Sequence, residues 1–364
     1  MNANYRNNYL LAQNQFIDYS TSDSTAILAK EHGLIGLTRL ITCMEILGLD
    51  CEQVNLIALP DFTYTRNKLR WSAGFPYGCV IKFGENIPPF IPLDFRPNCC
   101  GVVLAELEEF DENPESLQKK YIEIISSYSD IDKSDLNRRN HFMGSYFCEK
   151  NNKFYFLIHG SFNFVKEALY YERNETLLSL SKSETIMGEP FTYLIDSNAK
   201  HFYESYLEHE RLTMYYRNLI IKEMLPQAKI VFNRTHEGFY DMQTLLLGAY
   251  AENHPFSCPI MLAPEVDLPF VNVTNPINLQ NETKLYLSPH GGGYALYGVC
   301  NTQRVDSNLQ SDYILTYPNQ TKLLTDNVLD MPFCYRTNTS HCWCDRFNMA
   351  IEHCKMTPIF NLKI

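Results

Sequence analysis

Two kinds of apolar pattern run along the 364-residue chain. The first is the short solid run. VNLIALP (54–60), GCVIKF (78–83), GVVLAEL (101–107) and the aromatic KFYFLIHGSF (153–162) carry few polar positions and stop at turn residues. A strand buried on both faces shows no polar alternation, so these segments predict strands inside a covered sheet. AKIVFN (228–233), CPIMLA (258–263) and KLYLSP (284–289) predict three more short strands that end in polar or Gly/Pro-rich residues. The second pattern is helical. Residues 22–48 combine Ser/Asp start signals with Gly48 near the end, which predicts an amphipathic helix. Residues 112–129 predict another, and longer helical stretches are expected near 163–185 and 199–224. Strands and helices are mixed without regular alternation, so the expected fold class is α+β, an irregular α/β arrangement. No repeat, low-complexity tract or Gly/Ser linker divides the chain. It reads as one domain, with a helical segment over 1–53 packed on a core formed by 54–364.

Composition and charge narrow the setting. With 45% apolar residues the chain has ample material for a core, and no stretch approaches the roughly 18 consecutive apolar residues of a membrane-spanning helix. The first residues, MNANYRNNYLLAQNQF, show neither the basic nor the apolar region of a secretory leader, which predicts a cytoplasmic protein. Twelve cysteines in that setting are expected to be reduced thiols. The 31 basic residues are outnumbered by 42 acidic ones, for a net charge of −11. A broad basic surface for nucleic acid is thereby excluded, and any RNA partner must be held in a local groove.

The candidate chemistry lies in histidines at strand ends. His141 follows NRRN, His159 closes the run FYFLI, and His236 follows VFNRT. A ring fixed by a strand but open on its loop side is well placed to bind a metal, and Cys100, beside Cys99, offers a soft thiolate. Taken singly, each histidine also fits a buried ring hydrogen-bonded to backbone, which is the commoner case. His290 precedes three glycines in SPHGGGY. Such a turn lets backbone N–H groups approach a phosphate, and an imidazole beside it is placed to attack phosphorus. A plain flexible turn fits the same residues. A lipase oxyanion loop does not, because no G-x-S-x-G elbow accompanies it. HCWCD (341–345), with Cys334, His353 and Cys354, lacks the C-x2-C spacing of a zinc finger and reads as reduced structural cysteines.

In order along the chain, these segments resemble the RtcB-type RNA-splicing ligases. IALPDFTYTRNKLRWSAGFPYGCVIKF is similar to that family's Pro-Asp and Gly-Phe-Pro-Ile-Gly-Gly signature, and IPLDFRPNCCGVVLAEL to its Asp-Ile-x-Cys-Gly-Val metal loop. NRRNHFMGSYF and KFYFLIHGSF resemble its Gly-Asn-His-Phe and Ile-His-Ser-Gly-Ser pair, and FNRTHEGFYD its His-Asn segment. CPIMLAPEVDLPFVNV, SPHGGGYAL and the C-terminal TPIFNLKI complete the collinear set, from about residue 54 to 364. The resemblance implies a manganese- and GTP-dependent ligase, in an RtcB-like fold with a central metal-binding cleft. It joins an RNA 3′-phosphate or 2′,3′-cyclic phosphate to a 5′-hydroxyl, tRNA halves being one such substrate. By the same resemblance Cys100, His141, His159 and His236 hold the metal, with zinc a competitor of manganese. His290 is the nucleophile that becomes guanylylated, and Asn140, Gly291, Gly292, Gly293 and Lys363 bind the nucleotide.

The sequence departs from the family pattern at several polar positions. Pro97 stands where the family has an aspartate, Thr63 where it has a histidine, Gly144 where it has a glutamate and Tyr294 where it has an arginine. Asp61, Asp94, Glu237 and Asp267 are the carboxylates at hand to replace the missing one. Two other readings therefore accompany the ligase: a repurposed metal-dependent nucleotidyl- or phosphotransferase or hydrolase, and a non-catalytic protein that keeps the cleft as a binding surface.

Overall fold

The computed structural model describes residues 3–84, 87–128, 141–278, 284–307, 310–337 and 350–363. Among the described residues are seven α-helices and an eleven-stranded sheet, a mixed α/β architecture. The strands of that sheet, in chain order, are β1 (Phe16–Asp18), β2 (Asn55–Thr63), β3 (Tyr77–Lys82), β4 (Cys100–Leu107), β5 (Phe142–Cys148) and β6 (Lys153–Gly160). They continue with β7 (Lys229–Asp241), β8 (Thr244–Leu247), β9 (Phe256–Pro259), β10 (Leu268–Val273) and β11 (Ala350–Leu362). Their spatial order is β1-β2-β3-β8-β7-β4-β6-β5-β11-β10-β9. β1 runs parallel to β2, and the other neighbours are antiparallel. No described helix is long and apolar enough to cross a membrane.

Both faces of the central strands are covered, which is why they read as solid apolar runs. On β4, Val103, Ala105 and Leu107 enter a core shared with the helices, whereas Val102 and Leu104 enter a second core with Leu157, Tyr250 and Met261. Helix α1 (Ala3–Asn14) packs on α2 (Ser24–Ile46), and α2 in turn lies on β2. Asp23 caps α2 by accepting from the Ala26 N–H at 2.9 Å, and Gly48 takes a positive φ just beyond its end. The helix is not amphipathic as expected. From His32 to Met44 all but Ile35 are buried, because α1, the sheet and a β-hairpin enclose it on several sides.

Three further expectations change. The stretch 163–185 is not one long helix. It breaks into Asn163–Leu169, a 3₁₀ turn at Tyr171–Arg173 and Glu175–Leu180, then becomes a strand at Lys182–Ile186. Asn174 restarts the helix by accepting from Leu177 N–H, and Ser181 ends it in extended conformation. AKIVFN is only the start of β7, which runs on to Asp241. The second long helix, α3 (Asp196–Met224), begins three residues earlier than predicted and packs on β4 and β7.

Candidate metal centre

Four adjacent strands place the predicted ligands side by side. In the order β7, β4, β6, β5 they carry His236, Cys100 and His159, with His141 just before Phe142. Neighbouring strands lie about 4.8 Å apart, so side chains at one end of such a set are brought to a common ion. Register completes the alignment. Val102 pairs with His159, so His159 shares a face with Val102 and Cys100, two residues apart on β4. His236 needs a local irregularity: Thr235 pairs with Gly101 and Glu237 with Cys100, so His236 is the extra residue of a β-bulge. Bulges re-aim side chains next to functional sites, and this one turns the ring onto the cluster.

The distances suit a cation. Ligand atoms of Cys100, His159 and His236 all lie within 4.8 Å of one another, and all three residues are buried. Cys100 Sγ is 3.4 Å from His159 Nε2 and 3.2 Å from His141 Nε2. A tetrahedral ion with bonds of about 2.3 Å to sulfur and 2.0–2.1 Å to nitrogen holds those atoms roughly 3.5 Å apart. His236 supplies the second test of fit: neither of its buried ring nitrogens has a hydrogen-bond partner. Leaving such a group unsatisfied costs about 1–3 kcal/mol, a penalty that a bound ion would remove for the one nitrogen that ligates it. Burial, then the neighbouring His290 and His159, holds His236 well below the usual histidine range, in the neutral form that ligates. The group contains a cysteine sulfur and two imidazoles and no carboxylate, a donor set that suits zinc as well as manganese.

Arg217 braces this end of the sheet from α3. Its buried guanidinium donates to Cys99 O and Gly160 O, both at 3.3 Å, and to Asn233 Oδ1 at 3.1 Å. Gly101 permits that approach, since a Cβ there would stand 2.3 Å from Arg234 O and 2.8 Å from the guanidinium.

His290 lies against the cluster, its ring centre 4.7 Å from that of His236. Its Nδ1 is 2.8 Å from Asp61 Oδ2. The ring packs edge-on against Tyr77, at 4.9 Å. The three following glycines serve close packing of chain segments. A Cβ at Gly291 would meet Met261 O at 2.5 Å, at Gly292 Arg336 O at 2.5 Å, and at Gly293, where φ is +66°, Asp61 O at 2.4 Å. The Gly292 N–H is already donated to Met261 O at 2.8 Å, so it is not available to cradle a phosphate. Gly291, Gly292, Gly293 and Lys363 line one small cavity with His290, His159, Tyr294 and Tyr335, and among the described residues Lys363 is the one cation on its wall. The enclosed space is about 60 Å³, small beside the roughly 300 Å³ at which ordinary ligand pockets begin.

Three of the four candidate carboxylates are employed separately. Asp61 holds His290, and Glu237 accepts from Arg70 and from Tyr77 OH. Asp94 accepts from Thr192 N–H at 2.9 Å, in a neighbouring three-stranded sheet. Asn140 and HCWCD lie outside the described residues. The ten described cysteines are free thiols, and Cys334 is exposed while Cys354 is buried in β11. The sequence reading did not single out Tyr77, Arg70, Arg217 or Arg336. The signal available was weak: Tyr77 lies in the GFPYG segment, and the arginines carry no local motif. No family model matches the chain, and no curated protein sequence matches it.

Proposed function

We propose that the chain catalyses metal-dependent transfer at phosphorus, with His290 as the nucleophile, as a divergent relative of the RNA-splicing ligases acting on RNA ends. The observation that carries this reading is the seat of His290: hydrogen-bonded to buried Asp61 on one side and against the Cys100–His159–His236 group on the other. A carboxylate only accepts, so the Nδ1 of His290 carries the proton and Nε2 keeps its lone pair. Attack by Nε2 forms a P–N bond and breaks the P–O bond to the leaving group, which takes a proton from solvent. Asp61 then faces an imidazolium and stabilises its charge. An acceptor hydroxyl attacks the same phosphorus, the P–N bond breaks, and the hydroxyl proton leaves to solvent. Cys100, His159 and His236, with His141 beside the sulfur, would hold a divalent ion, which would supply charge neutralisation for the phosphate oxygens.

The small cavity at the glycine turn favours a phosphotransferase or hydrolase form over guanylyl transfer from GTP. The test uses two donors. Wild-type protein with manganese or zinc is incubated with α-labelled GTP or with RNA carrying a labelled 3′-phosphate, and the protein is resolved under denaturing conditions. Acid-labile label that needs metal and disappears in His290→Ala is expected. Label from GTP identifies the ligase form, and label from RNA alone the phosphotransferase form. Wild-type protein that takes label from neither overturns the reading.

A further inference from the structure

A second cavity, of about 390 Å³, opens on the other side of Tyr77. Among the described residues six cationic side chains line it: Arg66, Lys68, Arg70, Arg96, Lys166 and Arg173. Among the described residues the carboxylates on its wall are Glu237, ion-paired with Arg70, and Glu172, ion-paired with Arg96. The described lining therefore carries an excess of four positive charges in a chain whose net charge is −11.

The cavity is built in depth. Arg70 and Arg96, 2% and 4% exposed, form its inner wall. Arg70 is held by Phe95 O at 2.8 Å and Arg96 O at 2.7 Å, and Arg96 packs over the Tyr170 ring. Arg66 sits 4.1 Å above the Phe333 ring, and Lys68 and Arg173 stand exposed at the rim. His141 and Glu237 also reach the wall, so the cavity adjoins the Cys100 sulfur. Crowded cations in a partly desolvated recess repel one another, and a bound anion relieves that repulsion. Arginine forks at fixed positions match phosphate oxygens in pairs, and a recess with one sign of charge focuses its field on an incoming anion.

We propose that this cavity docks a phosphate monoester dianion, so that phosphate reaches the metal centre from the His141 side and not through the glycine turn. The position of the phosphate relative to the reaction rests on the transfer reading above, but docking itself requires neither metal nor turnover. The chemistry is shared by a phosphorylated RNA end and a free phosphate compound, and the test separates them.

Fluorescence anisotropy is measured on a fluorescein-labelled single-stranded RNA decamer ending in a 3′-phosphate or a 3′-hydroxyl, with chelator present and at two salt concentrations. Inorganic pyrophosphate is titrated separately by calorimetry. The expected result is about tenfold tighter binding of the phosphorylated end or, if the source is a free compound, pyrophosphate binding with no difference between the RNAs. Lys68→Glu/Arg173→Glu, at exposed positions, weakens whichever binds by about tenfold or more and flattens its salt dependence, as losing two phosphate contacts requires. Lys284→Glu/Lys322→Glu, which lines neither cavity, leaves it unchanged. Equal binding of both RNAs together with no pyrophosphate heat, or an unchanged affinity in the rim variant, overturns the proposal. Because chelator is present throughout, failure of the metal centre and failure of this site give different results.

Discussion

Asp61 and His290 lie 229 residues apart in the chain and meet at 2.8 Å, carboxylate Oδ2 to ring Nδ1, in the buried wall beside the cysteine–histidine cluster. Asp61 stands on β2 and His290 just beyond the strand Lys284–Pro289. The pairing fixes the imidazole tautomer and leaves the lone pair on Nε2. Asp61→Asn keeps the shape but removes the charge and lets the amide donate to Nδ1, which favours the wrong tautomer. We expect phosphate transfer to fall by about 10²–10⁴-fold in this variant. Far-ultraviolet circular dichroism should be unchanged, and single-turnover labelling of His290 measures the rate. A loss of less than about threefold sinks the role assigned to Asp61.

The cluster should behave as a folding-linked metal site. A ligand that binds only the native state at 100 times its dissociation constant stabilises by about 2.7 kcal/mol, a rise of several degrees in melting temperature. We expect purified protein to hold one equivalent of zinc or manganese by elemental analysis and to lose several degrees on chelation. His236→Ala and Cys100→Ser should abolish the difference between the chelated and metal-loaded forms. A chelated protein that melts at the same temperature as the loaded one refutes the site.

Parts of this centre were visible in sequence because the relevant residue types stand where strands end: Cys100 opens GVVLAEL, His159 closes FYFLI and His290 precedes three glycines. The continuation of β7 was hidden. Arg-Thr-His-Glu looks like a polar turn, yet Thr235, His236 and Glu237 are buried because the cluster and Arg70 give their polar atoms an interior to face. The burial of α2 was hidden for a related reason: His32, Thr38, Arg39 and Thr42 mimic a solvent face. Inside the protein Thr38 and Thr42 bond to carbonyls one turn back, Arg39 donates to Pro190 O, and His32 bonds to Trp71 O and stacks on its ring. Contacts such as Asp61–His290 have no local signature at all, since topology alone brings the partners together.

Asp94 gives a pH dependence of stability that does not involve the cluster. Burial raises its carboxyl to about 6 from an ordinary value of 3.8, while the Thr192 N–H, Arg39 and Arg96 pull it down and Glu172 pushes it up. The folded state therefore binds this proton more tightly than the unfolded chain. The resulting stabilisation is complete below pH 3.8 and is lost as pH rises through about 6. Asp94→Asn keeps an oxygen for Thr192 and removes the ionisation. Relative to wild type, the variant should gain roughly 2–3 kcal/mol between pH 4 and pH 7.5, at about 1.4 kcal/mol per pKa unit. Urea unfolding at both pH values measures this, and an equal difference at the two would contradict it.

Arg336 ties the His290 turn to the rest of the protein. Its backbone N–H donates to Gly293 O at 3.1 Å, and its guanidinium donates to Asp23 at 2.9 and 3.0 Å and to Asp61 O, Phe62 O and Gly292 O at 3.3 Å. One side chain thus joins the cap of α2, the end of β2 and the glycine turn. Removing it leaves three buried carbonyls without this donor and Asp23 without its ion pair. Arg336→Ala should cost about 2–3 kcal/mol, mainly the lost hydrogen bonds to buried carbonyls, since Asp23 is partly exposed. Arg336→Lys keeps the charge but not the fork, and should recover only part of that loss. The urea midpoints of the two variants measure it. A lysine variant as stable as wild type would mean that charge alone, and not the five-donor fork, holds the turn in place.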